Sequence, residues 1–319
     1  MDSKSTKVVV ALGGNALQEA GSPATAEAQL EVVRKTCEYL ADISTQGYEM
    51  AVVHGNGPQV GRIVLGQDLA AKQDPKLPAM PFDVCGAMSQ GYIGYQLSQA
   101  ILNDLKSRDI MRSTACIVTQ TVVDEDDPAF QNPTKPVGAF MDEETAKAKA
   151  EAMGITVKED AGRGWRQVVA SPIPKRIVEF DAVRDLVEDG YIVVSTGGGG
   201  VPVFETGDGY VGTPAVIDKD RSSALMAAEL GADMLIILTA VEKVCINFNT
   251  PEQEQISEMT VSQAREYIAQ GQFAPGSMLP KVQAALSFAE SAPGRVALIT
   301  LLEKAKDGIE GKTGTRVHL

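Results

Sequence analysis

Histidine is nearly absent from this chain: two of its 319 residues, His54 and His318. That shortage argues against a zinc site. It leaves His54 as the one histidine a Ser-His-Asp arrangement could draw on, because His318 is next to the C-terminus. Cysteine is scarce as well. Cys37, Cys85, Cys116 and Cys245 form no C-x-x-C pair and read as free thiols in a reducing compartment. No apolar run approaches the ~20 residues that span a bilayer. The opening residues, MDSKSTK, lack the apolar stretch of a signal peptide. The expectation is a cytoplasmic protein. Positive charge is also in deficit, with 29 Lys and Arg against 42 Asp and Glu and a net charge of −13. A nucleic-acid binder needs a basic stripe to neutralise phosphates, so that class is disfavoured. Any anion this chain binds is met by local cations against an unfavourable global field.

What remains is an ordinary globular composition, 44% apolar and 22% charged. The length suggests one large or two closely packed domains. Lys7–Leu12 is a short β-branched run ending at Gly13-Gly14. Ala26–Thr45 carries apolar residues at helical spacing, with Gly47 as the stop. Glu49–His54 is a second strand and Val60–Ala71 a helix. Further helices are expected over Gly91–Ser107, Asp220–Leu230, Val261–Ala269 and Leu279–Ser291. Strands are expected over Thr114–Thr121, Tyr191–Ser195, Met234–Leu238 and Arg295–Thr300, the last clear one. This alternation predicts a parallel, helix-covered α/β sheet. From Val122 to about Pro174 the rhythm breaks into Pro, Gly and charge, as an insertion with its own lid-like structure would. Its run Asp124–Asp127 reads as a solvated loop, and Trp165, the only tryptophan, as packing of the insertion.

Three glycine clusters each follow an expected strand: Gly13-Gly14-Asn15, Gly55-Asn56-Gly57 and Gly197 to Gly200. Glycine lets the backbone turn tightly so that N–H groups converge on an anion, and a following helix adds its positive end. One such loop is weak evidence. Three at the same end of parallel strands point to an anion site. Familiar nucleotide motifs do not fit. The spacing Gly55-x-Gly57-x-x-x-Gly61 resembles a dinucleotide fingerprint, but Asp74 lies in a Pro-containing loop instead of at a strand end. Gly311-Lys312-Thr313 lacks the earlier glycine of a P-loop, since position 306 is Lys306.

Phosphoryl transfer needs cations around the moving group and little covalent help. Three lysines sit in constrained settings: Lys135 between two prolines in NPTKP, Lys219 in IDKD and Lys281 at a helix start in LPK. Each alone also reads as a solvated surface charge. Asp218 is placed to orient lysines or to hold a magnesium ion, and Asp220 to cap a helix. His54 reads as strand-end packing or a loop-orienting hydrogen bond, or else as a phosphate or substrate contact.

These stretches together resemble the carbamate kinases, a branch of the amino acid kinase fold family. The matching segments are VVVALGGNAL (8–17), VVHGNGPQVG (52–61), NPTKPVG (132–138), KEDAGRGWR (158–166), GGGGVPV (197–203), AVIDKD (215–220), ILTAVEKVCIN (237–247) and FAPGSMLPKVQAA (273–285). They follow the family's order over nearly the whole chain. The resemblance implies a three-layer α/β/α sandwich around a mostly parallel central sheet, with a protruding lid subdomain at about 122–174. It implies an acceptor-binding part over 1–211, a nucleotide-binding part over 212–319 and a homodimer.

The implied activity is reversible phosphoryl transfer between ATP and carbamate, giving ADP and carbamoyl phosphate. Magnesium would be carried with the nucleotide, with no dedicated protein site, and the flux would run toward ATP in arginine catabolism. By the same resemblance, Gly13, Gly14 and Asn15 meet the nucleotide phosphates and the transferred group. Gly55, Asn56 and Gly57 hold the carbamate end, with Gly197, Gly198 and Gly199 close by. Lys219 and Lys281 stabilise the moving charge, Asp218 orients them, and Lys135 reaches in from the lid. Thr239, Ala240, Tyr267, Pro275, Gly276 and Met278 lie where adenosine is held. Many relatives in the wider family carry lysine before the first Leu-Gly-Gly, where this chain has Ala11. That departure weakens a reading as acetylglutamate or glutamate kinase. Another acceptor on the same fold, or a nucleotide sensor without turnover, are the alternatives that a substrate panel separates.

Overall fold

The computed structural model describes residues 6–19, 21–23, 25–160 and 164–319. The N-terminal MDSKS and residues 161–163 of the EDAGRGWR motif lie outside them. Eight strands form the central sheet: β1 (Lys7–Leu12), β2 (Glu49–His54), β3 (Thr114–Cys116), β4 (Ile192–Ser195), β5 (Met234–Thr239), β6 (Glu258–Thr260), β7 (Val296–Leu301) and β8 (Thr315–His318). Their order is β6-β8-β7-β5-β1-β2-β4-β3. From β7 to β3 all neighbours are parallel, while β8 runs antiparallel to β7.

The helices divide between two faces. Alternation along β1 puts Val8, Val10 and Leu12 on one side and Val9 and Ala11 on the other. The first set packs against α1 (Ala26–Ser44) and α3 (Phe82–Ser107), through Val33, Cys37, Leu40, Ile93 and Leu97. The second packs against α4 (Phe180–Glu188), α5 (Lys219–Glu229), α6 (Val261–Ala269) and α7 (Met278–Glu290), through Val183, Met226, Ala264 and Phe288. With both faces covered, β1 is buried almost throughout. This is the three-layer α/β/α sandwich around a mostly parallel sheet.

Several expected boundaries move. The helix expected from Gly91 begins at Phe82, because a helix buried on one side and apolar on the other shows little periodicity. The strand expected over Thr114–Thr121 splits between two sheets. Thr114–Cys116 joins the central one, and Gln120–Val123 joins a second, four-stranded sheet with Pro174–Ile177, Val201–Thr206 and Gly209–Gly212. β6 and β8, three and four residues long, were too short to stand out from the sequence, so Arg295–Thr300 is not the last strand.

The insertion builds a three-stranded antiparallel sheet from Lys135–Met141, Trp165–Val169 and Val157–Glu159, crossed by a helix over Glu143–Met153. Asp127 caps a short helix and accepts a hydrogen bond from Ile173 N, tying the acidic run to the base of this lid.

Candidate active site

Four of the parallel strands, in the order β5-β1-β2-β4, release their loops at one edge of the sheet. The chain leaves β1 toward β2 on one side and later places β5 on the other, so the edge between β1 and β5 is a topological switch point. A cavity of about 470 Å³ opens there. Gly13, Gly14 and Asn15 line it from β1, Thr239 and Ala240 from β5, and Lys281 from α7. The loop after β1 closes as a single 3-10 turn, Ala16 N donating to Gly13 O at 3.2 Å and Leu17 N to Gly14 O at 3.1 Å.

The second loop continues from β2. Gly55 N donates to Leu12 O at 3.1 Å, which clamps the β1 and β2 loops together. Gly57 opens α2 (Gly57–Gln73), and the side-chain amide of Asn56 donates to Ser89 Oγ at 2.8 Å. Asn56, Gly197 and Gly198 line a second, much smaller cavity of about 20 Å³, closed by Asp83, Ala215 and Val216.

The third loop is buried, and packing dictates its glycines. A Cβ on Gly197 would fall 2.4 Å from His54 Nε2. One on Gly198, at φ +64°, would fall 2.2 Å from Asn56 Nδ2. The amides of Gly199 and Gly200 close the turn onto Thr196 O and Gly197 O. Gly199 O accepts from Thr121 Oγ1 and Ser222 Oγ, and a Cβ on Gly199 would meet Ile217 O. His54 is buried and its Nδ1 lies 2.8 Å from Gly55 O, so Nδ1 carries the proton. Burial lowers its pKa to about 4 against the pull of that carbonyl, leaving a neutral ring that orients the second loop.

The lysines converge on a carboxylate that the sequence reading gave another role. Asp218 was expected to orient Lys219 and Lys281, and Asp220 to cap the helix. The structure exchanges them. Asp218 is the cap of α5, its Oδ1 accepting Asp220 N at 2.9 Å, while its Oδ2 meets Lys135 Nζ from the lid at 3.2 Å. Asp220 takes Lys219 Nζ on Oδ1 at 2.5 Å and Lys281 Nζ on Oδ2 at 2.9 Å. The physical reason is the helix start. The residue before the first turn turns its side chain back onto the backbone, and Asp220, inside the turn, projects toward α7. Burial lowers the Lys219 pKa, opposed by Asp220. Burial would raise the Asp220 pKa, but Lys219 and Lys281 outweigh it and hold the carboxylate ionised. The methylenes of Lys219 run past Gly55, where a Cβ would lie 3.9 Å from its Cγ, so this cluster adjoins the second glycine loop.

The remaining expected residues lie in α6 and at the start of α7. Met278 starts that helix, Pro275 and Gly276 form its exposed approach, and Tyr267 packs edge-on against Phe273 at 6.5 Å between ring centroids. They line neither cavity. Ser222, Thr121 and Ser89 carry no signal in the sequence, and Asp220 reads there as a helix cap only. The pair Asp218-x-Asp220 flanking Lys219 was the one signal for its meeting with the lysines.

Comparison with known proteins agrees with this arrangement. The amino acid kinase family matches residues 6–299. A carbamate kinase of Clostridium perfringens is 50% identical over 311 residues, covering 98% of this chain and 99% of the relative. The carbamate kinase-like protein YqeA of Escherichia coli is 51% identical over 311 residues, 98% of each. The solved structure of Giardia lamblia carbamate kinase bound to AMP-PNP superposes with a TM-score of 0.93 at 42% identity, over 99% of both chains. A glycine-edged cleft, two lysines meeting on Asp220 with a third on Asp218, and similarity along its full length together establish that the chain belongs to the amino acid kinase family and, within it, to the carbamate kinases.

Proposed function

We propose that the protein transfers a phosphoryl group reversibly between ATP and carbamate. The observation that carries this reading is the pair of lysines, from α5 and α7, that meets on Asp220, with Lys281 in the lining of the larger cavity and Lys219 running past Gly55 of the second glycine loop. The larger cavity suits nucleotide phosphates, and the relative solved with the ATP analogue AMP-PNP shares the fold. The smaller, about 20 Å³, has room for about one water-sized group, and it marks the acceptor side by its place beside Asn56 and the third glycine loop.

In this mechanism a carbamate oxygen attacks the γ-phosphorus in line, the bond to the β–γ bridging oxygen breaks, and ADP leaves with that electron pair. Carbamate is already an anion, so no proton must be removed and no general base is needed. Lys219 and Lys281 neutralise the equatorial oxygens as charge spreads over them, and Lys135 approaches from the lid. Asp220 holds the first two in place beforehand. Gly13, Gly14 and Asn15 receive the phosphates, and Gly55, Asn56 and Gly57 hold the carbamate, walled by Gly197–Gly199. Thr239 and Ala240, in the lining of the larger cavity, hold the adenosine end, and the assignment of Tyr267, Pro275, Gly276 and Met278 to adenosine rests on the family resemblance, since they line neither cavity. Residues 1–211 form the acceptor part and 212–319 the nucleotide part.

Magnesium supplies charge neutralisation on the phosphates and enters with the nucleotide. Both oxygens of Asp218 and of Asp220 already have partners, and among the described residues no three His, Cys, Asp or Glu converge. The protein is a cytoplasmic homodimer in this proposal. No helix among the described residues is long and apolar enough to cross a membrane. The outer face of α3 exposes Val84, Met88, Tyr95 and Leu102, a stripe suited to a second copy. Light scattering at micromolar concentration tests the dimer. The flux toward ATP in arginine catabolism follows from the family resemblance.

The substrate test is a panel assay with ATP and magnesium. Carbamate, acetylglutamate, aspartate, glutamate and nucleoside monophosphates are offered in turn. Turnover with carbamate alone supports the proposal, and turnover only with another acceptor refutes it.

A further inference from the structure

We infer that the ion pair between Asp68 and Lys149 is a positioning device that holds the lid so that Lys135 stays over Asp218. The inference rests on the proposed role of Lys135 as an acceptor-side lysine. The lid strand Lys135–Met141 runs through the cap Asp142 directly into the helix Glu143–Met153, and Asp142 Oδ1 accepts Thr145 N at 2.7 Å. Strand, cap and helix are therefore one continuous unit. Lys135 stands at one end of it and Lys149 within its helix.

Three of the contacts between this unit and the body bear on Lys135. Near its middle the backbones touch: a Cβ on Gly61 of α2 would lie 3.7 Å from Gly138 N. At the tip, Lys135 Nζ lies 3.2 Å from Asp218 Oδ2. At the heel, Lys149 Nζ lies 2.9 Å from Asp68 Oδ2, also on α2. The arrangement is a lever resting on Gly61, fastened at both ends by charge.

Between lever and α2 the packing is incomplete. A cavity of about 840 Å³ separates them, walled by Leu65, Leu69, Val137, Met141 and Ala148, with Asp68 and Lys149 in its lining. Close-packed side chains would fix the lid by shape alone. Across this cleft shape constrains the lid less, so the polar contacts at its two ends carry more of its orientation. Asp68 and Lys149 keep 22% and 25% of their side-chain surface, which shields the pair from much of the solvent screening that weakens open surface pairs. Because α2 begins at the acceptor loop, its Gly57 end contacts substrate while its Asp68 end holds the lid. A pair worth a fraction of a kcal/mol for folding can still shift an open–closed equilibrium that lies near balance.

The test uses full-length Asp68→Asn, Lys149→Met and the exchanged double variant Asp68→Lys/Lys149→Asp. Two readouts are followed: steady-state kinetics with ADP, magnesium and carbamoyl phosphate, and the fluorescence of Trp165. That tryptophan lies in the lid strand Trp165–Val169, with Lys147 Nζ 5.8 Å from its ring, and reports the lid directly. The expected result is a rise of about 2- to 5-fold in KM for carbamoyl phosphate in each single variant, which is an order-of-magnitude figure for losing one partly shielded pair. KM for ADP and the urea midpoint stay at wild-type values, the Trp165 titration shifts in parallel, and the exchanged variant recovers part of the loss. Single variants with wild-type KM, or an equal loss for ADP, or no recovery on exchange overturn the positioning role. The wild type in the same assay separates the two claims. Turnover by wild type with unaffected variants removes the latch alone, whereas no turnover by wild type removes the proposed reaction and the latch with it.

Discussion

Lys281 and Asp220, 61 residues apart in sequence, place Nζ and Oδ2 at 2.9 Å, and the same carboxylate holds Lys219 through its other oxygen. Asp220 is almost wholly buried. Two cations are thus assembled in a low-dielectric setting before any phosphate arrives, so the site does not reorganise to receive the transferred charge. One negative charge against two positive ones leaves a net attraction for an anion, in a chain whose overall charge is −13.

Asp220→Asn is expected to cost more than loss of either lysine in stability. It leaves two buried cations without a counter-charge, a change worth about 3–5 kcal/mol. Urea unfolding measures it. Lys219→Ala and Lys281→Ala instead reduce turnover, each by about 3 kcal/mol of transition-state stabilisation, by analogy with loss of one oxyanion donor. Retained turnover in both lysine variants contradicts the assignment of the phosphoryl site.

Lys135→Ala separates catalysis from folding. Its side chain is 39% exposed and its pair with Asp218 is partly solvated, so the unfolding free energy changes by less than about 1 kcal/mol. Turnover with carbamoyl phosphate falls while ADP binding, followed by calorimetry, is unchanged. Unaltered turnover removes the lid lysine from the mechanism.

His54 makes the fold sensitive to acid. Burial depresses its pKa from 6.5 to about 4, so between those values the unfolded chain binds a proton that the folded one refuses. Stability is full above pH 6.5 and is lost as pH falls toward 4. Lowering pH from 7.5 to 5 costs about 2 kcal/mol through this group. His54→Gln is expected to lose that part of the pH slope in urea unfolding, and an unchanged slope refutes the assignment.

Glu229 acts in the opposite sense. Burial raises its pKa from 4.5 to about 7 against the nearby Arg176, and its Oε2 has no hydrogen-bond partner in the protein. The folded state then holds the extra proton, and stability present at acid pH is lost as pH rises through 7. Glu229→Gln is expected to raise the thermal midpoint at pH 8 more than at pH 5.5. An equal shift at both refutes it.

The parallel sheet was legible in the sequence because its strands are buried on both faces and read as apolar runs ending in glycine. The lid was visible as a break in that rhythm. What stayed hidden was set by contacts between distant segments. Nothing in the local pattern says that Asp220 rather than Asp218 gathers Lys281, since that depends on how α5 starts and where α7 lies. The tetraglycine was read as an anion cradle. Its buried turn shows a further cause, the side chains of His54, Asn56 and Thr121 and the backbone of Ile217, which occupy the space a Cβ would need. β6 and β8 are too short for alternation to register, and the outer stripe of α3 masked the first nine residues of that helix.

The most direct test is ATP formation by purified protein from ADP, magnesium and carbamoyl phosphate, followed through a hexokinase-coupled assay with Lys219→Ala and Lys281→Ala in parallel. The account predicts ATP production by wild type that falls by about two orders of magnitude or more in each variant. No ATP above the non-enzymatic background with wild type, or equal rates in all three proteins, contradicts it.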